Sequence, residues 1–433
     1  MTMWDTIVIG AGAAGLVAAE RSAATGHATL LLEKANKPGV KILMSGGTRC
    51  NVTHATDRNG IVAAFGKPGK FLHSALSYLG PQEVVDLFAR EGVATKVEST
   101  GKVFPVSDRA IDVRDALLRR LSRSGAALRT GVAVTEIVAT EHGFQLESTR
   151  GSWECRSLIL TSGGQSYPGC GTTGDGYRWL AELGHRIVPC VPSLAPLTSS
   201  AHWLTALSGL TFDDVRLSLW DTTFPGKQRP KKPIETYRSS LLLTHKGLSG
   251  PAAMNVSRGV ARAASPLPLL ATCDWFPDFN QEQVYERLRD EMASDPRREL
   301  VPLLSRWVFK RFAEALVDHL QLDPRQRVAE LASSNVRRLA VALKELPIPI
   351  TGTLGFAKAE VTAGGVALGE VDSRTMASRR VPGLYLAGEI LDLDGPIGGF
   401  NFQAAFATGW VAGYQGQTVQ AWQESLGENA PGM

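Results

Sequence analysis

The sequence predicts an α/β protein whose parallel-sheet domain is assembled from two separated segments, with a β-rich domain and a helical subdomain between them. Three observations predict this: a strand–turn–helix–strand pattern over residues 6–33, a second strand and helix near residue 400, and a change of periodicity between them. The 433 residues are 44% hydrophobic and 20% charged, which excludes a disordered chain or a small disulfide scaffold. The predicted segments are, in order, 1–192, 193–280, 281–350 and 351–425.

The first segment opens with a phosphate-binding pattern. Residues 6–9 (TIVI) predict a buried parallel strand, which leads into Gly10–Gly15 (GAGAAG) and then a helix-forming run. The first glycine permits a tight turn, the second lets backbone amides approach a pyrophosphate, and the third lets the helix pack on the strand. Glu33 ends the next apolar run and can accept both hydroxyls of an adenosine ribose. The pattern therefore predicts a dinucleotide site with phosphates at a helix N-terminus.

The residues after Glu33 favour FAD over a nicotinamide dinucleotide. A nicotinamide-binding domain normally continues directly into its next helix and strand, whereas here the chain forms a loop that contains Ser45–Asn51 (SGGTRCN). Its glycines and small polar residues suit a close backbone approach to a flavin and its phosphates. We therefore expect FAD, bound without a covalent link.

A second segment near residue 400 completes the predicted site. Residues 383–387 (GLYLA) predict a strand that stops at Gly388-Glu389, and Gly398–Gln403 precede a helical run. The carboxylate is expected to lie on the ribityl hydroxyls, and the helix N-terminus can stabilise negative charge on a reduced flavin near its N1/O2 edge. We expect substitution of Asn401 or Gln403 to slow flavin reduction while FAD stays bound.

Four motifs resemble one bacterial family: MSGGTRCN (44–51), SGGQSYPGCGTTGDGY (162–177), THKGLSGP (244–251) and the run 364–403. The family is that of FAD-binding NAD(P)/FAD-dependent oxidoreductases, which includes aminoacetone oxidase-like flavoproteins and bile-acid dehydro-reductases. The resemblance covers nearly the whole chain, and Thr48 stands where the family usually has a third glycine. It implies a Rossmann-like FAD-binding domain in two segments, interrupted by a β-rich substrate domain with a helical subdomain.

The pattern and the resemblance together place FAD on residues from both segments. Val134 is included because a strand over residues 132–137 is expected to offer its backbone to the adenine. The expected FAD contacts are Gly10, Gly12, Ala13, Ala14, Gly15, Glu33, Lys34, Lys41, Met44, Ser45, Gly46, Gly47, Arg49, Cys50, Asn51, Val134, Gly163, Gly164, Gly388, Glu389, Gly399, Asn401, Phe402 and Gln403.

Cysteine usage argues against thiol and metal chemistry. The five cysteines are widely spaced and form no Cys-x-x-Cys pair, so neither a disulfide framework nor a zinc site is expected, and a reducing cytoplasm is favoured. Cys50 lacks a second cysteine at the spacing of a redox-active dithiol. We therefore expect no metal, no thiol-reductase activity, and a packing role for Cys50.

Two residues are candidates for acid–base chemistry. His245 follows an apolar run and precedes a glycine-rich turn, and histidine is readily poised near neutral pH. Tyr167 lies in a loop that should border the flavin. The alternatives remain open: a histidine satisfied at a strand end, and an aromatic side chain that only packs.

Charge and composition argue against nucleic-acid and membrane partners. The net charge is only +4, and the basic run at residues 227–233 has two prolines and no aromatic residue, which predicts a solvated loop. The N-terminus has no basic region before its apolar run, so a signal peptide is not expected. The oligomeric state stays open.

The favoured function is an FAD-dependent oxidoreductase with hydride transfer at the flavin. A small organic substrate is expected, with NAD(P)H or O₂ as co-substrate. No second dinucleotide pattern is visible, so NAD(P)H would bind only transiently. The alternatives are a flavin-containing tRNA-modifying enzyme, which the missing cysteine pair disfavours, and a non-catalytic flavin-binding redox sensor.

Overall fold

A computed structural model describes residues 3–223, 230–263 and 268–415. The chain divides into two compact units, the first formed by Met1–Val191 and Glu360–Met433 and the second by Pro192–Ala359. Residues 227–229 of the basic run and residues 416–425 of the last predicted segment lie outside the described residues.

Strands and helices alternate along much of the chain. The strands are β1 (Met3–Ile9), β2 (Thr29–Glu33), β3 (Thr53–His54), β4 (Thr95–Val97), β5 (Lys102–Pro105), β6 (Ala127–Thr130), β7 (Val134–Thr140), β8 (Gly143–Ser148), β9 (Gly151–Leu160), β10 (Ile187–Ser193), β11 (Leu197–Ser199), β12 (Thr211–Thr223), β13 (Glu235–Thr244), β14 (Gly247–Ser249), β15 (Leu269–Asp274), β16 (Leu346–Thr353), β17 (Val361–Val366) and β18 (Leu384–Leu386). The helices are α1 (Ala13–Ala24), α2 (Val40–Met44), α3 (Arg58–Ala64), α4 (His73–Tyr78), α5 (Pro81–Arg90), α6 (Ala110–Ser124), α7 (Asp175–Glu182), α8 (His202–Thr205), α9 (Gly250–Ala261), α10 (Gln281–Ser294), α11 (Leu300–Leu304), α12 (Lys310–His319), α13 (Ser333–Glu345) and α14 (Phe400–Tyr414).

The first unit is built on a seven-stranded sheet. Its order is β6-β2-β1-β9-β8-β7, and β18 pairs with β9 as a further strand. The pairs β6–β2, β2–β1, β1–β9 and β9–β18 are parallel, and β7 to β9 form an antiparallel meander. Strand β18 comes from the second segment of this unit, so the predicted assembly of one sheet from two distant segments is confirmed.

Helices α1 and α14, one from each segment, pack closely together. A Cβ on Gly409 would lie 2.4 Å from the carbonyl oxygen of Ala14, and one on Gly413 would lie 2.6 Å from that of Ala18. The absence of side chains at these two glycines lets the two helix backbones come together. This contact brings the N-terminus of α14 into the same region as the turn after β1.

Two small sheets complete the first unit. Strands β3, β5 and β4 form an antiparallel sheet beside the loop that follows α2, and β10 pairs with β17. Residues 189–196 are predicted as a crossover because they contain three prolines, yet β10 extends through residue 193. Proline is tolerated there because a two-stranded sheet leaves one edge of each strand free of backbone hydrogen bonds.

The second unit is a closed six-stranded barrel with helices. The strands follow the order β11-β14-β13-β12-β15-β16, and β11 closes the ring on β16. Its core joins barrel residues to residues of α9 to α13. The predicted β-rich domain with a helical subdomain is confirmed. In the described residues, no helix is both long enough and apolar enough to cross a membrane.

One boundary differs from the prediction. The helical subdomain is predicted to end at residue 350 and the second segment of the first unit to begin at 351, but Leu346–Thr353 form β16, which closes the barrel. The alternating apolar residues Leu346, Ile348 and Ile350 are buried, which explains the strand. The chain returns to the first unit at Glu360.

Candidate flavin-binding site

The turn after β1 leaves an open cradle at the start of α1. Gly10 has φ +99°, and a Cβ on Gly15 would lie 1.8 Å from the carbonyl oxygen of Gly10. Only glycine therefore permits this approach of α1 to β1. At Gly12, in contrast, a Cβ would meet nothing within 4 Å. Ala13 and Ala14 supply the first amides of α1, which have no acceptor inside the helix. This space fits the pyrophosphate of a dinucleotide.

Glu33 is held in place at the end of β2. Its Oε2 accepts a hydrogen bond from the amide of Ala11 at 2.7 Å, and its Oε1 accepts one from the amide of Ala35 at 2.8 Å. A carboxylate offers about four lone-pair positions, so acceptor sites remain for two ribose hydroxyls. The geometry suits the predicted contact with an adenosine ribose.

Two other residues predicted on the adenosine side have different surroundings. The Nζ of Lys34 lies 2.7 Å from the carboxylate of Asp175 and 2.6 Å from the hydroxyl of Thr173, so its charge is already paired. Val134 begins β7, is buried, and pairs with Ser148 of β8. Both assignments stay predictions.

A polar network surrounds Glu389. The Nζ of Lys41 lies 2.5 Å from Oε2 of Glu389, and the hydroxyl of Ser166 and the amide of Thr362 donate to Oε1 at 2.6 and 2.8 Å. Lys41 also donates to the hydroxyl of Ser166 at 2.6 Å. Three donors therefore hold the carboxylate of Glu389, the residue that is predicted to bind the ribityl chain. Lys41 is one of them and forms an ion pair with it.

Ser166 and Thr362, which both donate to Glu389, were not predicted as site residues from the sequence. Both are fully buried, and the hydroxyl of Thr362 also accepts hydrogen bonds from the amides of Gln165 and Ser166. Ser166 lies within a motif singled out above, but Thr362 carries no local signal. Its contacts depend on the tertiary fold, which brings residues 160–166 and 360–362 together.

The glycines around this network permit close packing. A Cβ on Gly164 would lie 2.3 Å from the hydroxyl of Thr362, and one on Gly388 would lie 2.8 Å from the Cβ of Ala14. Gly163 has φ +75°. These glycines bring the end of β9, the end of β18 and the start of α1 to one place, as the sequence predicts for a site shared by two segments.

The loop after α2 has an unusual backbone. Gly46, Gly47 and Thr48 have φ values of +56°, +66° and +70°, all in the left-handed region. All three are exposed, and Ser45 donates to the carbonyl of Ile42. Thr48 therefore adopts a left-handed conformation that glycine adopts freely, at a cost of about 1–3 kcal/mol for a β-branched residue.

We expect Thr48→Gly to stabilise the protein by about 1 kcal/mol, because the relief of strain exceeds the added entropy of a glycine in the unfolded chain. Urea denaturation of the cofactor-free protein measures the change. Thr135→Gly, an exposed position in β7, is the control and should destabilise. Destabilisation by Thr48→Gly would show that its backbone is not strained.

The side chains that follow this loop contact the small sheet of the first unit. Arg49 pairs with Glu98 at 2.6 Å, and Oδ1 of Asn51 accepts from the amide of Val103 at 3.2 Å. Cys50 is fully buried, and burial raises its pKa to about 12. The thiol is therefore neutral and inert at physiological pH, in agreement with a packing role.

The turn before α14 touches β3. Gly399 has φ +90°, and a Cβ there would lie 2.3 Å from the carbonyl oxygen of Thr53. The ring of Phe400 stacks on His54 with centroids 4.5 Å apart, and Phe402 is half-buried. The first amides of α14 remain without an intrahelical acceptor, as the N1/O2 edge of a flavin would need.

The side chains of Asn401 and Gln403 differ from the expectation. Asn401 accepts from the amide of Gly395 at 2.8 Å and donates to its carbonyl at 2.9 Å. Gln403 is fully buried, accepts from the hydroxyl of Thr53 at 2.6 Å, and donates to the carbonyl of Leu79 at 2.7 Å. Both side chains therefore hold the protein together, and only the backbone amides remain for a flavin.

We now expect Gln403→Ala to lower the free energy of unfolding by about 3 kcal/mol, because it leaves two buried polar groups without partners. The rate of flavin reduction in the folded fraction should change little. Urea denaturation and stopped-flow reduction by dithionite give the two values, with the exposed Gln145→Ala as control. A slowed reduction at unchanged stability would instead restore the direct role in flavin chemistry.

The two acid–base candidates lie in different units. Tyr167 is half-exposed in the first unit, has φ +56°, and precedes a short 3₁₀ helix at Pro168–Cys170. His245 is exposed in the turn between β13 and β14 of the second unit. Both assignments stay predictions.

The fold and the cradle formed by two chain segments define an FAD-dependent oxidoreductase. The chain belongs to the family described as HI0933-like protein Rossmann domain, which matches residues 4–415. The family match confirms the predicted class of protein and the predicted cofactor FAD.

Curated relatives match over nearly the full length. The chain is 32% identical over 414 residues to a ribosomal RNA dihydrouridine synthase of Escherichia coli (strain K12), which covers 95% of this chain and 97% of that protein. It is 30% identical over 410 residues to a 3-dehydro-bile acid delta(4,6)-reductase of Clostridium scindens, covering 94% and 97%. The name of one relative therefore refers to an RNA substrate, and the name of the other refers to a small-molecule substrate.

Solved structures show a more distant likeness. A 3-ketosteroid-delta4-(5alpha)-dehydrogenase from Rhodococcus jostii RHA1 has a TM-score of 0.49 at 14% identity and covers 95% of this chain and 96% of that chain. A flavocytochrome c3 fumarate reductase has a TM-score of 0.47 at 15% identity, covering 95% and 77%.

Proposed function

We propose that this protein reduces a carbon–carbon double bond conjugated to a carbonyl group. The observation that carries the proposal is the full-length similarity to two kinds of relative whose names share this chemistry. Dihydrouridine arises when the C5=C6 bond of uracil, conjugated to the C4 carbonyl, is saturated. The delta(4,6) double bonds of a 3-dehydro-bile acid are likewise conjugated to the 3-keto group.

In this proposal each part of the first unit has one task. The first amides of α1 would bind the pyrophosphate in front of Gly12, and Glu33 would bind the adenosine ribose. Lys41 and Ser166 hold Glu389, which would orient the ribityl chain. The first amides of α14 would stabilise negative charge at the N1/O2 edge. When bound, FAD supplies hydride-transfer chemistry.

Three of the five cysteines do not support an alternative mechanism that uses a thiol nucleophile. Burial raises the pKa of the Cys50, Cys155 and Cys273 thiols, and all three are fully buried. Thiols that stay protonated are poor nucleophiles. The proposal therefore places the chemistry at the cofactor and the substrate, with no covalent protein intermediate.

Two substrate classes follow from the relatives. A small cyclic enone agrees with the small organic substrate expected from the sequence. Uracil in ribosomal RNA is the second candidate, favoured by the rRNA-named relatives even though the sequence shows no basic stripe. NADPH or NADH is proposed as the source of the hydride, as a transient co-substrate.

An anaerobic two-step experiment tests the proposal. The FAD-loaded protein is reduced with NADH, NADPH or dithionite and then mixed with a 3-keto-delta4 steroid, with protein-free ribosomal RNA, or with buffer. The proposal expects one of the two acceptors to restore the oxidised flavin spectrum much faster than buffer does. Equal rates with all three would contradict it and favour a redox sensor.

A further inference from the structure

Glu360 lies directly against the network around Glu389. The hydroxyl of Ser166 approaches the backbone carbonyl of Glu360 at 3.3 Å while it donates to Glu389 at 2.6 Å. Two residues later, the amide of Thr362 also donates to Glu389. The backbone at Glu360 is therefore fixed beside the predicted ribityl contact.

The carboxyl group of Glu360 is not used by the described part of the protein. No hydrogen bond or ion pair to this carboxyl is found among residues 3–223, 230–263 and 268–415, and the residue keeps a substantial exposed surface. Most other carboxylates near the site, including Glu33, Glu389 and Asp175, are engaged by amides or lysines. A reachable carboxyl without a partner is available to a ligand.

The charges around Glu360 locate its carboxyl. Lys41 of α2 and Lys102 of β5 both act on it electrostatically, although neither pairs with it. Lys41 belongs to the network around Glu389, and Lys102 pairs in register with His54 of β3, next to the turn that contains Gly399. The carboxyl is therefore close enough to feel the charges of both lysines, one of which belongs to the network at the predicted ribityl contact.

The surroundings also favour the protonated form. Desolvation by the surrounding protein raises the pKa of Glu360, against the opposing effect of Lys41 and Lys102. The group therefore keeps its proton to a higher pH than an ordinary glutamate does. Such a carboxyl can act as a general acid. General acids typically increase the rate of a reaction by roughly 10²- to 10⁴-fold.

We propose that Glu360 is the proton donor to the substrate carbon next to the carbonyl group. This rests on the proposed function. The β-carbon of the double bond gains a hydride, which carries two electrons, and the α-carbon gains a proton from the Glu360 carboxyl. The C=C π bond breaks, two C–H bonds form, the dihydroflavin is oxidised, and the Glu360 carboxylate regains a proton from water.

Two other side chains could supply the proton instead, and the experiment below distinguishes them from Glu360. Cys170 is half-exposed, and its Sγ lies 3.0 Å from Sδ of Met44. Burial raises the pKa of the Cys170 thiol, so it also carries a proton at neutral pH. Tyr167 lies three residues away in the same loop. Lys41 also acts electrostatically on the Cys170 thiol, but among the described residues no hydrogen bond joins Cys170 or Tyr167 to Lys41 or Glu389.

The test compares Glu360→Gln with Glu141→Gln, an exposed position in the turn between β7 and β8. Stopped-flow reoxidation of the dithionite-reduced protein by the active acceptor is followed over a pH range that begins below the ordinary pKa of a glutamate and extends well above it. We expect Glu360→Gln to slow reoxidation by roughly 100-fold or more. The wild-type rate should fall as the pH rises through the pKa of Glu360, and this dependence should be absent in Glu360→Gln.

Measurements independent of turnover accompany the kinetics. In the cofactor-free protein, infrared spectroscopy should show a protonated-carboxyl band that persists above the usual pH range and is missing in Glu360→Gln. FAD affinity and reduction by dithionite should stay unchanged. Wild-type kinetics in Glu360→Gln, or an unchanged infrared band, would overturn the proposal, as would a loss found instead in Cys170→Ser or Tyr167→Phe. If wild-type protein reduces no conjugated alkene, the proposed function itself fails.

Discussion

Gly12→Val is expected to yield a folded protein that does not retain FAD. The backbone at Gly12 has φ −82° and ψ −167°, an extended conformation that valine adopts readily, and no atom lies within 4 Å of the Cβ position. The free energy of unfolding without cofactor should therefore change by about 1 kcal/mol at most. A valine side chain would occupy the space of the pyrophosphate, so FAD affinity should fall by roughly 100-fold, or about 2.7 kcal/mol.

Gly15→Val provides the matched control. A Cβ at residue 15 overlaps the carbonyl oxygen of Gly10, so this variant should be destabilised by several kcal/mol (about 3 or more) without any cofactor present. Fluorescence titration with FAD and urea denaturation distinguish the two effects. Retention of stoichiometric FAD by Gly12→Val would show that the pyrophosphate does not bind in front of this helix.

Glu33→Ala is expected to cause the second large loss of FAD. The carboxylate is oriented by the amides of Ala11 and Ala35 and has acceptor sites left for the ribose hydroxyls. Loss of hydrogen bonds to a charged group costs about 1.5–3 kcal/mol each, so the loss of two should lower the affinity for FAD by roughly 100-fold or more. Titration with FMN, which lacks the adenosine moiety, gives the diagnostic comparison.

The affinity for FMN should be equal in the wild type and in Glu33→Ala, because no ribose of an adenosine is present to be bound. Glu136→Ala, at an exposed position in β7, serves as the control for the loss of a surface carboxylate. A parallel loss of FMN and FAD affinity in Glu33→Ala would show that the substitution disturbs the fold of the turn rather than a contact with the adenosine ribose.

Local patterns were sufficient to predict strands β1, β2 and β18 of the first unit. The apolar run before Gly10, the spacing of the three glycines and the acid at position 33 all depend on residues close together in sequence. The strand that ends at Gly388-Glu389 is equally local, so its place in the same fold could be predicted. The conformation of a glycine turn depends on residues that are close together in sequence, so a local sequence pattern is sufficient to predict it.

Contacts between distant segments could not be predicted in the same way. The hydroxyl of Thr362 in β17 accepts hydrogen bonds from the amides of Gln165 and Ser166, which lie 197 and 196 residues away in sequence, and no pattern around residue 362 predicts these contacts. The side chain of Gln403 was assigned to the flavin because it follows the glycine turn, but β3 and the end of α4 provide its partners. These tertiary contacts decide which side chains in the first turn of α14 are available to a ligand.

The barrel shows the same limit. The change of periodicity after residue 192 predicted a β-rich region, but the predicted helical subdomain extends to residue 350, so the closing strand β16, which contains Pro347 and Pro349, was not predicted. Strand β16 pairs with β15 and β11 over long sequence separations, and burial of its alternating apolar residues outweighs the unfavourable prolines.

Mass analysis of the acceptor provides the most direct test of the central claim. The dithionite-reduced, FAD-loaded protein is mixed without oxygen with the acceptor that restores the oxidised flavin, and the acceptor is analysed after one turnover. Our account predicts that each flavin oxidised adds two hydrogens to one acceptor molecule and removes its conjugated double bond. Reoxidation of the flavin that leaves this double bond intact would contradict the account.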